Sequence, residues 1–123
     1  MHNNLLSTFR FSCEKEWLET KLPLQILRLP GIYGPGRSAL DSLINGTIKI
    51  IDKPGQVFSR IHVDDIAGAV LFLINLYSQG NNPTVVNVAD NLPTNNLEVI
   101  ALAAKIAKNP YHQQYLLKLL KKQ

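Results

Sequence analysis

The segment Arg28-Leu29-Pro30-Gly31-Ile32-Tyr33-Gly34-Pro35-Gly36-Arg37 decides how this chain is read. It completes Leu24-Gln25-Ile26-Leu27-Arg28-Leu29, a short apolar run bounded by Pro23 and Pro30, as expected of a strand buried in a sheet. A Gly/Pro-rich loop then follows. In open α/β sheets ligands sit beyond the carboxyl ends of the strands, and Pro30 to Arg37 lies just past such an end. Glycines at 31, 34 and 36 let the backbone approach a ligand with no Cβ in the way. Arg37 and Arg60 are the two cations expected near this crevice, suited to an anionic or hydroxylated substrate.

Outward from this segment, local signals alternate between helix and strand. Phe9, Cys13 and Trp17 recur every four residues and predict a helix over 9–20, stopped before Pro23. Ser38 with Asp41 starts a short helix whose apolar face is Leu40, Leu43 and Ile44, and Asn45-Gly46 ends it. Thr47 to Ile51 and Gln56 to Ile61 are β-rich runs around Pro54-Gly55 and predict a hairpin. His62-Val63-Asp64-Asp65 leads into an apolar helix from Ile66 to about Ser78, stopped by Gly80-Asn81-Asn82-Pro83. Thr84 to Val88 is a compact β-branched strand. Asn95 and Glu98 fit a capping box for a helix carrying Leu97, Ile100, Ala101 and Ala104, and Asn109-Pro110 breaks it. Residues 111–122 are expected to form a last helix. The alternation predicts an α/β fold.

Composition narrows the function classes. The chain has 123 residues, 46% hydrophobic and 18% charged, enough apolar material for one small domain with a core. Its net charge is +4, with part of the excess at Lys118, Lys121 and Lys122 among tail leucines. That pattern is a basic amphipathic face, and without zinc-finger spacing or aromatic-basic stacking motifs no nucleic-acid partner is expected. No apolar run reaches the roughly 18 residues of a membrane span, so no membrane partner is expected. The single cysteine, Cys13, forms no internal disulfide, and residues 1–6 lack the pattern of a secretion signal, so a cytoplasmic location is expected. No His/Cys cluster suggests a metal.

Three blocks carry a family resemblance. They are Leu22 to Arg37, then Phe58-Ser59-Arg60-Ile61-His62-Val63-Asp64-Asp65-Ile66-Ala67, then Val86-Asn87-Val88-Ala89-Asp90. In this order the chain resembles the extended short-chain dehydrogenase/reductases, the NAD-dependent epimerase/dehydratase family, over residues 9–108. The resemblance implies the C-terminal half of such an enzyme: a partial Rossmann-like α/β fold with a short β-hairpin and several helices. Residues 1–108 would form that part and residues 109–123 a basic tail helix. It further implies that Leu29, Pro30, Gly31, Ile32 and Tyr33 face the nicotinamide end of NAD or NADP and the substrate, with Arg37 and Arg60 as substrate contacts. His62 is implied to be structural, and Asp64 and Asp65 to cap a helix.

Two of the family's features are missing. Its catalytic Tyr-x-x-x-Lys pair, in which the lysine lowers the tyrosine's pKa, has no counterpart: Tyr33 is followed by Arg37, Tyr77 by Asn81, Tyr111 by Tyr115 and Tyr115 by Leu119. If Glu14 matches the acidic residue of that helix, Leu6 and Arg10 stand at the tyrosine and lysine places. The Gly-x-x-Gly-x-x-Gly turn that sets a pyrophosphate against helix amides is also absent, and Gly34-Pro35-Gly36 has the wrong spacing. No catalytic residue is therefore assigned. The expected function is that of a truncated NAD(P)-dependent epimerase/dehydratase-like oxidoreductase of sugar-like carbonyls or alcohols, inactive alone and without tight cofactor binding. The alternatives are a non-catalytic α/β module that self-associates or accepts a complementing N-terminal half, and a small-ligand binder without turnover at residues 30–37. The strand at 24–29 is expected to leave an open apolar edge.

Overall fold

A computed structural model describes residues 3–50, 53 and 55–107. The chain is α/β, with short parallel strands and four helices among the described residues, in the order α1 (Asn3–Glu19), β1 (Ile26–Arg28), β2 (Gly31–Tyr33), α2 (Ala39–Ile44), β3 (Arg60–His62), α3 (Val63–Ser78), β4 (Val85–Asn87) and α4 (Asn96–Ala107). The described residues divide into two compact units, one drawn from 3–28 and 67–88 and the other from 29–66 and 89–107.

In the first unit β1 and β4 pair in parallel, Ile26 opposite Val85 and Arg28 opposite Asn87. The ladder is prolonged at both ends by Ile26 N–H to Thr84 O (2.8 Å) and Val88 N–H to Arg28 O (3.1 Å). Helix α1 ends because Lys21 takes a left-handed conformation, φ 58°, the reversal that commonly stops a helix. The Thr20 hydroxyl donates to Trp17 O at 2.6 Å, satisfying one carbonyl the last turn leaves free. Glu14 on α1 receives both arms of the Arg28 guanidinium, Nε at 3.0 Å and Nη2 at 2.5 Å, so one fork of charge ties α1 to β1. The Gln25 amide donates to Leu73 O at 3.4 Å. Leu73 is buried, while Trp17, Leu71, Phe72 and Ile74 are each more than half exposed.

In the second unit β2 and β3 pair in parallel, Gly31 opposite Arg60, Ile32 opposite Ile61 and Tyr33 opposite His62. A parallel pair requires a crossover, and α2 lies within it. Ser38 caps α2 by accepting from Asp41 N–H at 3.1 Å, and Asn45 and Gly46 (φ 67°) close it. Asn95 caps α4 reciprocally: its Oδ1 accepts from Glu98 N–H and its amide donates to Glu98 Oε1, both at 2.8 Å. Leu43 of α2 packs with Ala103 and Ala104 of α4, the small residues letting the helices approach, with Leu40 and Ile48 at the rim. Ile61 and Ile100 are also buried.

Four expectations need correction or restriction. The hairpin of 47–51 with 56–61 does not form among the described residues. Thr47 to Ile50 has no strand pairing, Arg60–His62 pairs with β2, and Phe58 exchanges two backbone bonds with Thr94 (3.0 and 3.2 Å). The β-rich composition signalled pairing, but the partners lie far along the chain. The strand at 24–29 is shorter, 26–28, and the supposed loop after Pro30 includes a second strand, Gly31–Tyr33, because those backbone groups find β3. The long apolar helix begins at Val63, three residues earlier than read. The tail helix at 111–122, and so the boundary at 109, lies outside the described residues.

The Arg28 guanidinium holds the Glu14 carboxyl below its ordinary value of 4.5, mainly through the hydrogen bond and with help from its charge, against a smaller opposing effect of desolvation. A lowered folded-state value means the pair's contribution is present at neutral pH and is lost as pH falls through that value. We expect Glu14 to titrate below 4.5 by carboxyl NMR and to move back up in Arg28→Gln. An unchanged Glu14 titration in that variant would contradict the pairing.

Candidate functional site

The Gly34-Pro35-Gly36-Arg37 turn follows directly from β2. Gly34 and Arg37 exchange backbone hydrogen bonds at 3.1 and 3.0 Å, with Pro35 at the second position and Gly36 at φ 74°. That is a type II turn: the third position needs positive φ and therefore glycine. Gly34 is required for a different reason. A Cβ there would lie 2.7 Å from Val63 Cγ2, so the turn is seated directly on the first residue of α3.

The turn and β2 line a crevice of about 340 Å3 together with the start of α2. Its walls include Gly31, Ile32, Tyr33, Arg37, Ser38 and Arg60. Five of the sequence-derived site residues thus come together: Gly31, Ile32 and Tyr33 as backbone and side-chain wall, and Arg37 and Arg60 as cations. Leu29 and Pro30 are half-buried and do not line the crevice.

The two arginines are in different electrostatic situations. Arg60 Nη1 donates to Phe58 O and Thr94 O, both at 3.1 Å, and so clamps the loop that precedes α4. Asp90 N–H donates to Arg60 O at 2.8 Å, which fixes the other side of the same residue. Arg37 is exposed and has no ion-pair partner among the described residues, leaving its five donors for a ligand.

His62 has a definite structural task. Its Nδ1 accepts from Asp64 N–H at 3.2 Å, so the imidazole itself caps α3. Its ring meets Tyr33 edge-on, centroids 5.2 Å apart at 68°, which fixes the phenol at the crevice wall. The expectation that the Asp pair caps the helix is adjusted accordingly: Asp64 and Asp65 occupy the first turn, where their charge complements the helix dipole, but the capping acceptor is His62.

Sequence reasoning took Ser38 only for a cap and overlooked Ser42. Both line the crevice, and their spacing of one helical turn was the available signal. The carbonyl clamp from Thr94 to Arg60 had no local signal at all. Among the described residues no cluster of His, Cys, Asp and Glu is placed to hold a metal ion, and no helix is long and apolar enough to cross a membrane.

With this geometry the chain is similar to two solved structures. One is a conserved protein of unknown function from Silicibacter pomeroyi, 44% identical over 79% of this chain, TM-score 0.67. The other, from Methylobacillus flagellatus, is provisionally described as an NAD-dependent epimerase/dehydratase and is 29% identical over 76% of this chain, TM-score 0.59. The similarity supports the epimerase/dehydratase family. The fold is part of a Rossmann-like α/β architecture. The chain spans about a third of each of these proteins, 34% of their length. No protein-family model and no curated protein matches it.

Gly34→Ala is expected to destabilise the second unit by about 1 to 3 kcal/mol, the usual cost of overpacking. Because Val63 is β-branched and stiff, it cannot swing aside without leaving its rotamer. Urea unfolding should therefore show Val63→Ala recovering part of the loss in the double variant, and strict additivity would refute the steric account.

Proposed function

We propose that this chain supplies the wall of a crevice in which a nicotinamide cofactor and a carbonyl or alcohol substrate meet, as in an NAD(P)-dependent epimerase/dehydratase, and that it does not turn substrate over by itself. The observation that carries the reading is the crevice at the end of β2, where Gly31, Ile32 and Tyr33 face the same space as Arg37. Residues of this kind suit the nicotinamide end of the cofactor. Gly31 is exposed and carries no Cβ, although one built there would meet Ser59 O (3.8 Å) and Arg60 Cγ (3.9 Å) in ordinary contact, so it is the exposed backbone of the strand that a flat ring would meet. The pyrophosphate end has no matching glycine turn in this sequence.

The nicotinamide would supply hydride acceptance or donation. The chain's own residues would do three things. Gly31 and Ile32 would bound one face of the ring, Tyr33 would close the side held by His62, and Arg37 would hold a substrate oxygen by charge-assisted hydrogen bonds. The proton-transferring Tyr-x-x-x-Lys pair is not in this sequence, which supports inactivity of the chain alone. In this reading the stretch corresponds to the C-terminal part of the family's enzyme, working in a cytoplasmic setting on sugar-like or other hydroxylated substrates.

The test is an amide NMR titration of the full chain with reduced nicotinamide mononucleotide. Weak, saturable shifts are expected at Gly31, Ile32 and Tyr33, and Arg37→Ala should leave these unchanged while removing the response to an added hydroxy acid such as lactate. Absence of any shift at Gly31 to Tyr33 would sink the proposal.

A second reading, a non-catalytic partner-binding module, is favoured by one specific observation. Among the described residues β1 has a strand neighbour on one edge only, β4, and the same unit exposes Trp17, Leu71, Phe72 and Ile74. Parallel sheets are normally buried on both faces. Both similar structures are about three times as long as the stretch they share with this chain. Mixing the chain with a polypeptide made from the unmatched part of the Silicibacter pomeroyi protein is expected to give a one-to-one complex in sedimentation, dispersed by Phe72→Lys. Self-association alone, or no association, would exclude such a partner.

A further inference from the structure

We infer that a second cavity in the same unit, on the α4 side of Tyr33 and Arg60, takes the apolar body of a neutral carbonyl or alcohol, and that this chamber does not take the diphosphate of a nucleotide sugar. The assignment as a substrate compartment rests on the crevice reading above. The cavity itself stands on its own geometry. It measures about 340 Å3, at the small end of the range of roughly 300 to 1,000 Å3 usual for ligand sites.

Its walls are aliphatic. Val99, Leu102 and Ile106 come from α4, Leu40 from α2, and Leu92 from the segment before α4. Leu102 and Ile106 are 57% and 55% exposed, so apolar side chains that could have been turned inward stand open at the cavity. Covering them with an apolar ligand group is favourable for the same reason that burying them in a core would be.

The polar groups are Tyr33, Ser38 and Arg60 at the boundary with the crevice, and Asp90 and Thr94 in the chamber alone. Tyr33, Ser38, Ala39 and Arg60 line both spaces, so the two adjoin at those residues. Polar atoms at one end of an apolar chamber orient a ligand with a single oxygen-bearing group. Charge argues against a phosphate there. Asp90 is part of the same lining, and Arg60 Nη1 is already engaged by Phe58 O and Thr94 O. An anion entering this chamber would meet a carboxylate and a cation whose donors are partly committed. A ketone or hydroxyl meets no such penalty and can accept from the Tyr33 phenol or from the remaining Arg60 donors.

The experiment is a methyl and amide NMR titration of the full chain with 4-phenyl-2-butanone, and separately with uridine diphosphate. Saturable shifts of the Val99, Leu102 and Ile106 methyls are expected with the ketone and none with the diphosphate. Val99→Trp, which fills the chamber, should weaken the ketone by about tenfold or more. Leu102→Asp, at an exposed position, tests the same wall without overpacking the interior, and it too should weaken binding. The inference is overturned if the ketone gives no saturable shifts, if neither variant weakens it, or if the diphosphate moves the same methyls. Reduced nicotinamide mononucleotide separates the two readings. Shifts at Gly31 to Tyr33 without ketone binding would reject the apolar chamber and keep the crevice. Ketone binding with no response at Gly31 to Tyr33 would reject the crevice reading and the substrate role that rests on it.

Discussion

The parallel pairing of Gly31–Tyr33 with Arg60–His62 is the constraint on which the rest of the candidate site depends. Only three residues on each side take part, but the register decides every neighbour that matters. It sets Gly31 beside Arg60, and so places an open backbone next to a guanidinium. It sets Tyr33 beside His62, so the phenol is held edge-on by the imidazole that also caps α3. A one-residue slip would replace every one of these neighbours. The α2 and α4 helices, packed through Leu43, Ala103 and Ala104, then keep the crossover between the two strands from drifting.

Elements whose signals are local were legible in the sequence. Ser38 with Asp41, and Asn95 with Glu98, are capping arrangements in which both partners lie within one helical turn, and both form as the spacing indicates. Gly46 after Asn45, and Gly80, stop their helices at positive φ for the same local reason. Gly31 to Tyr33, singled out through the family resemblance, do line one crevice with Arg37 and Arg60, whereas Leu29 and Pro30 do not, because Gly31–Tyr33 pairs as a strand and not as the loop the glycines and prolines suggested.

What the sequence concealed was decided by distant partners. The runs at 47–51 and 56–61 have the composition of a hairpin, but Phe58 bonds to Thr94 and Arg60 to His62 joins β2, pairings that nothing within ten residues announces. The fork between Arg28 and Glu14 is similar, since a carboxylate on one helix and a guanidinium on a later strand carry no spacing rule. The role of His62 was hidden differently. Its neighbours Asp64 and Asp65 are the usual acceptors at a helix start, and only the coordinates place the imidazole nitrogen within reach of the Asp64 amide.

The same long-range pairing has a consequence for synthesis. Ile26 cannot meet its partner until Val85 has left the ribosome, since each bond of the β1–β4 ladder joins segments far apart along the chain. In contrast, β2 needs only the stretch through His62. Non-local pairings form late, because the loop between the partners must be closed before any contact rewards it. During translation β1 therefore waits for β4, its mate among the described residues, while the second unit's β2–β3 pair can already close. The nascent chain presents that edge to whatever is nearby, and chaperone demand should be concentrated in the interval between the appearance of β1 and that of β4.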